Sequence, residues 1–229
     1  AFDDGEVDPL YGELFPLSIL PTELPELPVL SAASPLSDTD WLLPFFGFNS
    51  NTKERYTEAD GTEVITEVET DRSLHIQPDG SIVYRSGTEA TPEISAQEQN
   101  PTAAESALGC SILLQELTEG LTGEASLYLQ SVSQSGDSTQ LRFGYQLAGT
   151  PIRFSDGGSA AEITLSGTSI TRLTLRFRQY STTNEQSLLL PLRQTLAIAA
   201  DHPGVELSVG YADGGGDTCL LYTSPSPRD

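Results

Sequence analysis

Hydrophobic and polar positions change their period several times along the chain, and each change predicts an element. From Glu63 the pattern turns to short alternating runs separated by turn residues. Residues 73–77 and 81–85 flank Pro78-Asp79-Gly80, where glycine can take positive φ without a Cβ clash; this predicts a β-hairpin. The period then becomes helical: Ala107, Cys110, Leu114, Leu117 and Leu121 share one face of a helix expected over 101–121. Asn100 can cap it with Pro101 in the first turn, Thr102 with Glu105 offers a capping box in another register, and Gly120 and Gly123 end it.

Strands are expected next at 126–133 and 139–147. In the second, Leu141, Phe143, Tyr145 and Leu147 alternate with Arg142, so one face is buried and the other wet. The order then restarts, with strands at 150–154, 160–165 and a long one at 169–180, turns at Ser155-Asp156-Gly157-Gly158 and Ser166-Gly167-Thr168, a helix at 188–201 ending at His202-Pro203-Gly204, and a strand at 205–211. Element order thus predicts an α+β fold with a duplicated unit of antiparallel strands packed on a helix, residues 41–149 forming the first copy and 150–218 a truncated second.

Ahead of these units, Pro9, Pro16, Pro21, Pro25, Pro28 and Pro35 hold their neighbours extended and deny a helix its donors, so 1–40 is expected to be an acidic, Pro-rich extended arm. The apolar run 41–48 (WLLPFFGF) is expected to join the core. Charge is uneven: 33 Asp and Glu against 11 Lys and Arg give −22 over 229 residues. Residues 1–71 hold 16 acids and 2 bases, 72–140 hold 9 and 2, and 141–229 hold 8 and 7. So acidic a surface repels phosphate, which argues against nucleic acid as a partner.

No apolar run reaches the roughly 18 residues of a membrane helix; 42–48 and 188–198 are the longest candidates, and proline interrupts both. The absence of Met predicts a fragment or a trimmed mature form. Residues 219–229 (CLLYTSPSPRD) resemble the in-frame translation of a transposase-type sequencing adapter, so native sequence is expected to end near Asp217 or Thr218. Cys219 then drops out and leaves Cys110 alone, read as a small buried thiol rather than a nucleophile.

Candidate chemistry is sparse. His75 in a strand and His202 at a helix end have no second ligand at metal spacing, and there is no nucleophile elbow, phosphate-binding glycine loop or EF-hand. Glu67, Glu69 and Asp71 alternate on one strand, and Asp213-Gly214-Gly215-Gly216-Asp217 has the look of a calcium turn; a solvated edge and a plain loop account for them equally well. No metal and no cofactor is expected. The most distinctive surface feature is Arg172, Arg176 and Arg178, placed by alternation opposite Leu173, Leu175 and Phe177. It reads either as a solvated face answering the acidic first third or as a docking stripe for an acidic protein surface.

The stretches 72–85 (RSLHIQPDGSIVYR), 143–152 (FGYQLAGTPI) and 189–199 (LLPLRQTLAIA) resemble the YycH/YycI regulatory proteins of Gram-positive bacteria, over about 63–211. The resemblance implies repeated PepSY-like α+β units in an extracytoplasmic part, anchored by an N-terminal membrane helix that this chain lacks. It further implies regulation of the sensor histidine kinase of a cell-wall-linked two-component system, without catalysis. A PepSY-type protease-inhibitory domain, a hydrolase using the acids of 67–71, and a structural envelope protein are the alternatives.

Overall fold

A computed structural model of the chain describes residues 26–49, 51–67, 70–86, 92–96, 100–189, 200 and 205–227. In chain order the elements are β1 (Glu26–Ala33), α1 (Leu42–Phe45), β2 (Glu54–Thr57), β3 (Glu63–Glu67), β4 (Arg72–Ile76), β5 (Ser81–Arg85) and α2 (Ala103–Leu117). There follow β6 (Ser126–Ser135), β7 (Ser138–Leu147), β8 (Thr150–Phe154), β9 (Ala161–Ser166), β10 (Ser169–Arg176), β11 (Gln179–Leu188), β12 (Val205–Asp213) and β13 (Thr218–Pro227). All thirteen strands belong to one mixed sheet in the order β11-β1-β13-β12-β8-β7-β9-β10-β5-β4-β3-β2, with β6 added beside β7. The class is therefore α+β, with little helix and one large sheet.

The hairpin expected at Pro78-Asp79-Gly80 joins β4 to β5. Gly80 has φ 86°, and its N–H closes the turn on Gln77 O at 3.0 Å. For α2 the second capping register wins: Glu105 N donates to Thr102 Oγ1 at 3.3 Å, while Thr102 N donates back to Glu105 Oε2 at 2.8 Å. The helix is shorter than expected, because Thr118 already caps its end and Gly120 and Gly123 turn the chain at φ 72° and 67°. Gly123 is also a contact point: a Cβ there would collide with Tyr180 O, the acceptor for Glu124 N.

Strand β7 is the axis of the sheet. Its first half, Ser138–Phe143, pairs with β9, and its last residues, Tyr145–Leu147, pair with β8 on the same side, so the sheet forks. One sector runs β9-β10-β5-β4-β3-β2 and packs against α1 and α2 around Leu42, Phe46, Ile65, Tyr84, Cys110, Leu114, Phe143 and Leu173. The other runs β8-β12-β13-β1-β11 around a smaller core of Leu30, Tyr145, Ile152, Tyr180 and Tyr211. The pair β8–β12 is parallel and the others are antiparallel.

Three expectations change. Part of the expected arm is strand: β1 lies inside its sector with Leu30 fully buried, and Pro28 is accommodated because the register breaks between Pro28 and Leu30, where a missing donor costs least. Nor is the strand from 169 continuous to 180. Phe177 and Arg178 leave the ladder between β10 and β11, and both are buried. Finally, β9 and β10, expected in a second unit, pair with β7 and β5 and share the first core, so the sheet does not divide at residue 149. Residues 1–25, most of the helix expected at 188–201, and His202 lie outside the described residues, although Leu188 ends β11. β13 contains Cys219, whose backbone lies opposite Leu30 and Asp213. No described helix is long and apolar enough to cross a membrane.

Candidate functional site

The break at Phe177-Arg178 separates the three candidate arginines. Strict alternation would keep Arg172, Arg176 and Arg178 on one face, but once the chain leaves the ladder at Phe177 the period of two is lost. Arg178 turns into the smaller core, 8% exposed, which removes it from the expected stripe. There its Nε and Nη2 donate to Asp213 Oδ2 and Oδ1, both at 2.9 Å, and Nη2 also donates to Gly216 O at 2.7 Å. Tyr180 OH and Gly215 N complete the carboxylate shell of Asp213 at 2.8 and 2.7 Å. Burial alone would lower the Arg178 pKa; the Asp213 hydrogen bonds more than offset this, so it rises and the cation is fixed.

Two sequence candidates thereby meet and neutralise each other. The turn at 213–217, weighed as a calcium turn or a plain loop, begins with an aspartate whose two oxygens are occupied by Arg178, Tyr180 and Gly215. Among the described residues no cluster of His, Cys, Asp and Glu is placed to hold a metal ion. Arg176 stays half-exposed at the rim of the same cleft, of about 610 Å³, paired with Asp156 at 2.8 Å and lying over the Phe154 ring at 4.6 Å. The Arg176 contact, helped by Gly158 N, lowers the Asp156 pKa.

Glu67 is likewise not on a wet strand face. It is 4% exposed and accepts from Thr70 Oγ1 (2.6 Å), Thr52 Oγ1 (2.9 Å) and Asn49 N (3.1 Å), with Arg72 Nη1 at 3.5 Å. Chiefly the Thr70 bond holds its pKa below the ordinary value against the opposing effect of burial. The carboxylate is therefore kept ionised, the reverse of what a general acid requires. Asp71 occupies the β3–β4 turn at φ 52°, and Glu69 lies outside the described residues. Cys110 is fully buried, and burial pushes its thiol up to about 12.

What remains exposed is the face of the sheet turned away from α2. Its central pair is Arg172 on β10 directly opposite Arg85 on β5, both exposed. Neighbouring strands add Thr164 beside Arg172 and Ser73 beside Arg85, neither able to neutralise a cation. Arg142, on the same face of β7, reaches Glu162 only at 3.6 Å between two exposed side chains. Arg153 on β8 lines with it a crevice of about 880 Å³ where the sheet forks. Lys53, Arg85, Arg153 and Arg172 make no ion pair among the described residues. Arg85 was not separable from its surroundings in the sequence, because pairing it with Arg172 depends on the β5–β10 register, across 86 intervening residues. Like charges directly opposed on a sheet are destabilising.

Fold and face together define an α+β protein with one large mixed sheet and a basic patch on an acidic chain. No protein-family model matches the chain, nor does any curated protein or solved structure.

Proposed function

We propose that the chain is a non-catalytic binding module that docks an acidic surface of a protein partner on the outer face of its sheet. The observation that carries this reading is the Arg85–Arg172 pair: two exposed, directly opposed guanidinium groups with no carboxylate partner among the described residues, in a chain with a threefold excess of acids. An incoming carboxylate relieves the repulsion and gains bidentate hydrogen bonds. The resemblance to the YycH/YycI proteins makes the partner a sensor histidine kinase of a cell-wall-linked two-component system, met outside the cytoplasm by a full-length protein anchored in the membrane. Regulation then consists of tighter binding to one state of the kinase than to the other. On the same reading the duplicated α+β units are interleaved across the two sectors rather than set side by side.

The test is cross-linking of the full-length protein in its host membranes. A sensor kinase should be captured, and Arg85→Glu with Arg172→Glu should cut its recovery at least about tenfold, the scale of losing two charge-assisted contacts. If no kinase is captured and deletion leaves kinase output unchanged, the reading fails.

A further inference from the structure

We infer that β6 is a self-association edge, through which two copies of the chain join their sheets about a two-fold axis. Among the described residues β6 pairs on one side only, with β7, which leaves the backbone groups of its other edge without a strand partner there. Proteins usually guard such an edge with charge or proline. The edge strands β2 and β11 carry Glu54 with Arg55 and Glu185, respectively, whereas all ten residues of β6 (SLYLQSVSQS) are uncharged and none is proline.

Exposed apolar side chains also lie on and beside β6. Seven large hydrophobic side chains are exposed among the described residues, and four of them lie on β6 and the helix packed against it: Leu129 and Val132 on β6, Leu108 and Ile112 on α2. Leu129 and Val132 are three apart and would normally point to opposite faces. The bulge at Gln130 restores them to one face, opposite Phe143 and Leu141, respectively, which is the side on which α2 packs. Between α2 and β6 runs a cleft of about 750 Å³, with Ile112, Leu114, Leu127 and Phe143 among its walls and Glu116 and Glu119 also lining it.

A second copy fits this edge for two reasons. At −22 per chain, two copies repel over most of their surfaces, and an uncharged ten-residue edge is a place where they can meet without opposing like charges along the strand, Glu124 and Asp137 lying beyond its two ends. The sequence is also self-complementary in antiparallel register: an axis between Gln130 and Ser131 sets Leu129 against Val132 of the other copy, Tyr128 against Ser133 and Ser126 against Ser135. Every residue of β6 is then paired, both bulges face each other, and the apolar residues of both copies stay on one face. The contact is isologous and closes at two.

The test uses the whole chain. Sedimentation across roughly 1 to 200 µM, bracketing the micromolar association expected of a modest interface, should show a mass twice the 24.5 kDa of one chain. Added salt should tighten association by screening the net repulsion, whereas docking of an acidic partner on Arg85 and Arg172 should weaken with salt. Val132→Lys should hold the chain at one copy. Ile112→Lys, at a helix position 44% exposed on the wall of the cleft shared with β6, should raise the dissociation constant at least tenfold. Oxidised Leu129→Cys/Val132→Cys should yield links between 129 and 132 of different copies. A chain that stays single throughout, a dimer indifferent to both lysines, or links of 129 to 129 would overturn the inference.

Discussion

Replacing Asp213 by alanine removes four hydrogen bonds at once: two from Arg178, one from Tyr180 OH and one from Gly215 N. Arg178 is 8% exposed and would keep the neutral acceptor Gly216 O but no carboxylate, so an uncompensated cation remains in the smaller core. Breaking a buried pair from one side costs about 3–5 kcal/mol, a large part of the roughly 5–15 kcal/mol that holds a typical domain folded. For a chain of this size that is a fall in Tm of about 6–20 °C. Urea unfolding followed by circular dichroism should show the midpoint drop with an unchanged slope. The double variant Arg178→Met/Asp213→Leu removes both charges and fills the space with apolar atoms, so it should recover most of the loss and stay within about 2 kcal/mol of the parent. A loss below about 1 kcal/mol for Asp213→Ala, or a double variant as unstable as the two single losses added, would refute the view that this pair locks β12 to the β10–β11 link.

Acid should weaken the fold through Glu67. Its folded pKa lies below the ordinary 4.5, so its stabilising contribution is complete above that value and is lost as pH falls through the folded pKa; Glu67→Gln should flatten the stability profile below about pH 4.5 in urea titrations. Cys110 should resist a thiol reagent at pH 8 in the native chain and react fully once unfolded, because burial withholds both access and thiolate. If 219–229 are adapter-derived, a chain ending at Thr218 should keep a cooperative urea transition even though the cut removes β13 from between β1 and β12. Arg178, Asp213 and the Ala32 N–Asp217 O bond at 2.8 Å all lie before the cut, and a cut chain without a cooperative transition would show those residues to be integral. Gly123→Ala should cost roughly 1–3 kcal/mol in the same urea assay, since φ of 67° and the neighbouring Tyr180 O both oppose a Cβ.

Local signals proved legible where a few adjacent residues suffice. The Asp79-Gly80 hairpin, the Thr102–Glu105 box, the buried alternation of β7 and the buried Cys110 all depend on spacing within one element. The candidate site was legible only in part: Arg172 and Arg176 reach the surface as alternation requires, while Arg178 does not, because Phe177 is drawn into the core and takes the backbone out of register with it. The proline pattern misled at β1, where the residues that fill the smaller core beside Tyr180 are separated from it by about 150 positions.

Sequence alone determined the α+β class, the acidity of the chain, and the identity of most strands, since hydrophobic period and turn chemistry are properties of neighbouring residues. Tertiary structure decided which of those strands meet. It opposed Arg85 to Arg172, closed Asp213 around Arg178, buried Glu67 beneath Thr70, and left β6 with one strand neighbour among the described residues. The physical reason is that pairing energy and ion-pair geometry depend on register between distant segments, and one residue of slip, or one bulge, exchanges the face a side chain presents.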